Sequence, residues 1–290
     1  LSSILKNQES NPQFKMQDNL MRSLYTSPKR QMITSEIIEK AKRENIIEIV
    51  RNSMANAADY TFVFVGSIDM DSFRPLLEQY IATLPADAVT ASNTAVYSEA
   101  TEIVKGSGTD TYKIKMETPQ TYVFFCLSGN EPYTAKESLL PNIIGQILSK
   151  RLIKTVREEM GAVYSIGASG YMSRQGNTNA MIQSLFPMKP EMKQEVLDFI
   201  ANEIKAMTGN ITDDELNAVK EFMVKEATEN AELNNPWLNA ITGTLINGVD
   251  TFNNRVELIN SVTVADVQNF LKNLIDQNNY RLVISEPEAE

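Results

Sequence analysis

The chain has 290 residues, 42% of them apolar, a formal net charge of −10 and no histidine. The apolar fraction is ample for a packed core and excludes a disordered chain, while the acidic balance disfavours nucleic acid, which is bound through Lys and Arg. The absence of histidine excludes Ser-His-Asp and Cys-His catalysis, histidine-based zinc motifs and imidazole acid–base chemistry.

Residues 1–30 predict a polar helical segment with turn signals at Pro12 and Pro28 and an apolar face of Phe14, Met16, Leu20, Met21 and Leu24. The first residues show neither an initiator methionine nor a signal-peptide pattern, so the chain reads as cut from something longer. Thr34 or Ser35 offers the N-cap of a helix through Ile37, Ile47, Val50 and Met54. Tyr60-Thr61-Phe62-Val63-Phe64-Val65 is a continuous apolar run ended by Gly66, expected as a strand buried on both faces. Asp69 or Asp71 caps a helix over Ser72 to Ala82, before Leu84-Pro85. Residues 86–110 are rich in Ala, Ser, Thr and Gly and mark a domain boundary, with 96–110 as the linker. Gly106-Ser107-Gly108 lacks the Lys-Ser/Thr of a phosphate loop and belongs to that linker.

The second unit opens with strands at Thr111–Glu117 and Gln120–Ser128. Cys126, the only cysteine, falls within the apolar run of the second and is expected as a buried structural thiol. It cannot form an internal disulfide, and no histidine is present to activate it. A long helix follows, with Leu140, Ile144, Leu148, Leu152 and Val156 recurring every four residues. Gly161 suits its left-handed stop. Ala162–Tyr171 and Thr178–Leu185 are expected as a hairpin, and Glu191–Met207 as a helix. Thr212-Asp213-Asp214-Glu215 is a capping box. Asn235-Pro236-Trp237 predicts a further helix start with asparagine as cap, and Trp237 as a core anchor. A helix at 252–259, another opened by Thr263 to Asp266, and a strand at Asn279–Ser285 complete the chain.

Shifted by 220, residues 58–64 lie over 278–284 and the preceding helices agree, a weak internal repeat. No run of 18 apolar residues is long enough to span a membrane.

Arg157, in the last helical turn, and Tyr164, just past the Gly161 corner, place a guanidinium and a phenol beside accessible backbone. Such groups can grip a peptide carbonyl. Each also has a plain structural reading: Arg157 as a cation complementing the helix dipole, Tyr164 as a half-buried strand tyrosine. Glu158 and Glu159 read as a solvated face. The small residues Gly167, Ala168, Ser169 and Gly170 mark either close approach of a substrate backbone or a bend in the sheet.

Phe62-Val63-Phe64-Val65-Gly66-Ser67-Ile68-Asp69, with Leu76-Leu77-Glu78-Gln79-Tyr80-Ile81 and Leu84-Pro85, resembles the strand, helix and closing segment of a pitrilysin-like (M16) zinc peptidase domain. Arg151-Leu152 through Arg157-Glu158-Glu159-Met160-Gly161-Ala162-Val163-Tyr164-Ser165 resembles the family's R-E-x-x-G-x-x-Y-S signature, and Asn235-Pro236-Trp237-Leu238 a late helix of the same domain. The resemblance covers the chain from about residue 25 onward.

It implies an α+β fold of the LuxS/MPP-like type, a duplicated domain with a mostly antiparallel sheet packed against helices. Residues 1–95 would then be the C-terminal part of a truncated third domain, and 111–290 a complete last domain. It also implies a peptide substrate, with Arg157 and Tyr164 binding its backbone and stabilising the oxyanion, and Gly167–Gly170 as substrate-binding strand. Zinc would be held by an N-terminal half, on the same chain or a partner subunit, and this chain would be inactive alone. The readings left open are the C-terminal half of a single-chain peptidase, the histidine-free subunit of a two-chain peptidase, and a non-catalytic peptide-binding homologue. Bacterial members of the family imply a periplasmic or envelope location.

Overall fold

The computed structural model describes residues 2–87, 102–174 and 178–288. At its centre is a five-stranded sheet made of β1 (Gly108–Ile114), β2 (Thr121–Gly129), β3 (Ser169–Met172), β4 (Ala180–Met188) and β5 (Tyr280–Pro287), in the order β1-β5-β2-β4-β3. β1 pairs with β5 in parallel, and the other three pairings are antiparallel. The fold is therefore α+β with a mixed, mostly antiparallel sheet.

β2 explains why a continuous apolar run makes a central strand. Val123, Phe125 and Leu127 face the main core, while Phe124 and Cys126 face a smaller one. Helices α6 (Leu140–Leu152), α7 (Lys193–Asn210), α8 (Asp213–Asn230) and α11 (Val264–Asp276) supply the main core, with Ile144, Ile200, Val219 and Phe270 buried in it. The expected capping box forms, Thr212 with Glu215 opening α8, and the helix start expected at Thr263 proves to be a second one, Thr263 with Asp266 opening α11.

The opposite face is covered in part by α2 (Pro12–Leu24), which follows α1 (Ser2–Glu9). Leu24 and Ile103 pack on Phe124, Cys126, Met181 and Val283, and Ser23 hydrogen-bonds the Tyr112 hydroxyl at 2.9 Å. These contacts cross the boundary expected at 96–110. Residues 88–101 lie outside the described residues, but the described end of that stretch belongs to the fold. Ile103 is buried and bridges Tyr25, β1 starts at Gly108, and Ser107 binds the backbone and side chain of Asn278. The linker reading fails there because these polar and small residues are used to dock β1 beside β5.

Several local expectations are corrected. The helix from Thr34 or Ser35 is two helices, α3 (Ser35–Lys40), capped by Thr34, and α4 (Arg43–Ser53), separated by extended backbone at Ala41 and Lys42. Asp69 caps α5 (Met70–Tyr80). Helix α9 (Asn234–Asn247) starts with Leu233 as its N-cap, ahead of the Asn235-Pro236 signal. Trp237 is half-buried rather than a core anchor: it meets Phe252 edge-on at 4.6 Å and donates to the Ala231 carbonyl at 2.7 Å. The 252–259 helix is α10 (Arg255–Ser261).

Tyr60–Val65 is not a buried strand. Tyr60, Phe62 and Phe64 are 45%, 43% and 47% exposed, and no described strand lies beside them. The repeat therefore extends to the helices, α4 and α11, but not to the apolar runs that come after them. A strand needs a partner for its N–H and C=O groups; β5 has β1 and β2, and residues 60–65 have none described.

Candidate functional site

The corner at Gly161 is built by a change of helix type. After Leu152 the α-helix widens into a π-helix over Ile153–Glu159, a rare form that is frequent at functional sites. Its last turn is closed by Met160 N–H donating to the Thr155 carbonyl at 2.9 Å and Ala162 N–H to that of Val156 at 3.1 Å. Gly161 has φ +60°, which glycine adopts without a Cβ clash. Apolar periodicity does not distinguish these two helix types over seven residues, so the sequence shows one continuous stripe.

Beyond Gly161 the backbone is irregular rather than a strand, and only Ser169–Met172 joins the sheet. The Lys189 N–H binds the Ala162 carbonyl at 3.1 Å. Ala162, Val163 and Ile166 are buried, which turns Tyr164 and Ser165 outward. Tyr164 is 90% exposed, so it is no half-buried strand tyrosine. Arg157 is also exposed and forms no ion pair with a described residue, while its neighbour Val156 is fully buried. Glu158 and Glu159 face solvent.

Tyr164 lines a cavity of about 520 Å³ with Pro119, Gln120, Gly161, Lys189 and Glu191. The sequence reading missed Gln120, Lys189 and Glu191, which come from distant segments. The only trace of the convergence is the pair of prolines, Pro187 and Pro190, that turns β4 into α7.

The small-residue stretch divides. Gly167, Ala168 and Ser169 line a second cavity of about 540 Å³, together with Leu20, Met21, Tyr25, Tyr171 and Leu185. The Gly167 carbonyl is held by the Ser184 hydroxyl at 2.5 Å. Gly170 is buried and faces the other way: a Cβ there would sit 1.8 Å from the Pro141 carbonyl oxygen. The close backbone approach at Gly170 is thus made by α6 of the same chain. Gly145 completes it, since its own Cβ would lie 2.6 Å from the Gly170 nitrogen.

Burial pushes the Cys126 thiol up to about 12, leaving it protonated and inert at neutral pH. Among the described residues, no group of three or more Cys, Asp or Glu is placed to hold a metal ion.

The family model described as "Peptidase M16 inactive domain" matches residues 36–223, more than half of the chain. The chain belongs to the peptidase M16 family. No curated protein matches its sequence. Among solved structures it is similar to the periplasmic protease PqqL from Escherichia coli, at 19% identity and TM-score 0.79, over 99% of this chain and 32% of that one. It also resembles the ferredoxin protease FusC, a mutant of which was solved with Arabidopsis ferredoxin, at 17% identity and TM-score 0.77, over 95% and 30%. A peptidase M16 inactive domain from Pseudomonas fluorescens matches at 16% identity and TM-score 0.72, over 99% and 68%. These likenesses show a shared M16 fold. The chain spans about a third of the length of the two proteases. Among the described residues, no helix is long and apolar enough to cross a membrane.

Proposed function

We propose that this M16 inactive domain is the zinc-free half of an M16 metallopeptidase, helping to enclose a peptide and presenting Arg157 and Tyr164 to its backbone. The observation that carries the reading is Tyr164. A phenol 90% exposed at the mouth of a cavity, on a corner held by buried neighbours on both sides, is held out from the core where a ligand can reach it. Its hydroxyl can donate to a peptide carbonyl oxygen, and the Arg157 guanidinium favours negative charge developing there. Both are exposed in this chain, so neither is committed to holding the fold. Zinc, with its activation of water, belongs in this reading to a separate N-terminal half.

Residues 43–87 also fit this arrangement. Ile49 and Met54 are 67% and 69% exposed and Phe62 and Phe64 nearly half exposed, apolar area that the rest of a third M16 domain would cover. A zinc-bearing half on a separate subunit is the second arrangement.

The test uses the full-length protein, together with any zinc-bearing partner subunit, and an unfolded peptide substrate. Cleavage should be abolished by chelator. Arg157→Ala and Tyr164→Phe should each lower kcat by roughly 100- to 1000-fold, the usual effect of removing one oxyanion donor. Their thermal midpoints should stay at the wild-type value. Wild-type kcat in both variants would refute the assigned roles.

A further inference from the structure

The cavity beside Gly167–Ser169 does not end there. It shares Met21 with a neighbouring cavity of about 560 Å³ between α1, α2 and residues 30–33. Arg30 stands at the junction, its guanidinium carbon 4.6 Å from the centroid of the Tyr25 ring and Nη2 donating to the Tyr25 hydroxyl at 3.4 Å. Together the two form one groove from the open face of β3 and β4 to the side chains of α1 and α2.

Its charge is unusual for this molecule. The chain carries 37 carboxylate residues against 27 Lys and Arg. Yet among the described residues no Asp or Glu lines either cavity, and the one charged residue is Arg30, which lines the cavity between α1, α2 and residues 30–33. Among the described residues Arg30 has no carboxylate partner, and its guanidinium stacks on the Tyr25 ring instead. Amides line its far end, including Gln8, Gln13, Gln17 and Gln31, and the buried Gln31 Oε1 accepts no hydrogen bond. At the near end, Tyr171 and Leu185 are 47% and 48% exposed. Amide side chains match the alternating donors and acceptors of a peptide backbone, and the apolar walls match its uncharged side chains. A guanidinium with no described carboxylate beside it matches an anion.

We propose that this groove binds an extended peptide segment, with an aspartate or glutamate side chain placed at Arg30 and uncharged residues on either side. This rests on the reading of the domain as one that holds peptides, and adds to it a preference for acidic side chains at a site separate from Arg157 and Tyr164.

The test is fluorescence anisotropy with the full-length protein and two labelled ten-residue peptides of Ala, Ser and Leu, one with a central Asp and one with Asn. The Asp peptide should bind about tenfold more tightly. Arg30→Gln should remove the difference, and Arg30→Lys should retain part of it. Leu185→Glu, which brings a carboxylate into the groove at an exposed position, should weaken the Asp peptide by more than tenfold. The readout is the ratio of the two affinities, which backbone binding at Arg157 and Tyr164 does not set, so a failure of the corner's assigned role does not register here. Equal binding of the two peptides to the wild type, or unchanged discrimination in Arg30→Gln, overturns the proposal. So does failure of either peptide to bind, the result expected if another segment of the protein or a second copy fills the groove.

Discussion

Arg151 grips Glu215 through two parallel hydrogen bonds, Nε to Oε1 and Nη2 to Oε2, each 2.7 Å long. The same guanidinium reaches Glu203 at 2.6 Å and Asn210 at 2.8 Å, and its side chain is only 16% exposed. One arginine therefore ties the end of α6 to the end of α7 and the start of α8, next to the π-helix that carries Arg157. Removing it leaves two carboxylates facing each other in a partly buried site. Arg151→Gln should cost roughly 3 kcal/mol of stability, measured by urea unfolding. Arg151→Lys should recover little of this, because an ammonium cannot make the forked contact.

The pair also has a pH signature. Hydrogen bonding to Arg151, and to Thr212 at the N-cap, holds the Glu215 carboxyl at about 2, well below its ordinary 4.5. A carboxyl depressed in the folded state adds stability above its unfolded pKa and loses it as pH falls through the folded one. This contribution is thus complete above about pH 5 and fades between about 4.5 and 2. Unfolding free energy followed from pH 6 to pH 2 should fall more steeply in wild type than in Glu215→Gln. Parallel curves would show that the ion pair contributes nothing.

Gly161 and Gly170 are required for different reasons, and alanine separates them. At Gly161 a Cβ meets nothing within 4 Å, so the cost of Gly161→Ala is the left-handed backbone alone, about 1–2 kcal/mol. At Gly170 a Cβ would be 1.8 Å from the carbonyl oxygen of Pro141, which is backbone and cannot rotate aside. Gly170→Ala must push α6 off β3 and should cost about 3 kcal/mol or more, the upper end for overpacking. Thermal unfolding of the two variants should rank them in that order.

Residues 60–65 and 280–285 are counterparts in the sequence repeat and should differ sharply in hydrogen exchange. β5 is paired on both sides, with Val283 and Ile284 buried. Of residues 60–65, only Tyr60 donates its N–H to a described backbone carbonyl, that of Ala57 at 3.1 Å. In the 290-residue chain, 61–65 should exchange within seconds and β5 only through global unfolding. Matching protection would mean that 60–65 finds a partner strand.

By itself the sequence determined the elements whose signals are local. The capping box at Thr212, the helix start at Thr263, the four-residue stripe of α6, the glycine stop at Gly161 and the apolar run of β2 each specify their structure within a dozen residues. The absence of histidine likewise limited the chemistry without any coordinates. Tertiary structure alone decided which of two similar apolar runs became a strand, because Tyr122–Leu127 has neighbours to pair with and Tyr60–Val65 has none described. It also decided that Gly170 serves helix packing while Gly167–Ser169 borders a cavity, and that Arg30 has no carboxylate partner among the described residues. Periodicity reports the face a side chain takes along its own element. It does not report which distant backbone or charge will be across from it, and that is what separates a packed residue from one left free to bind.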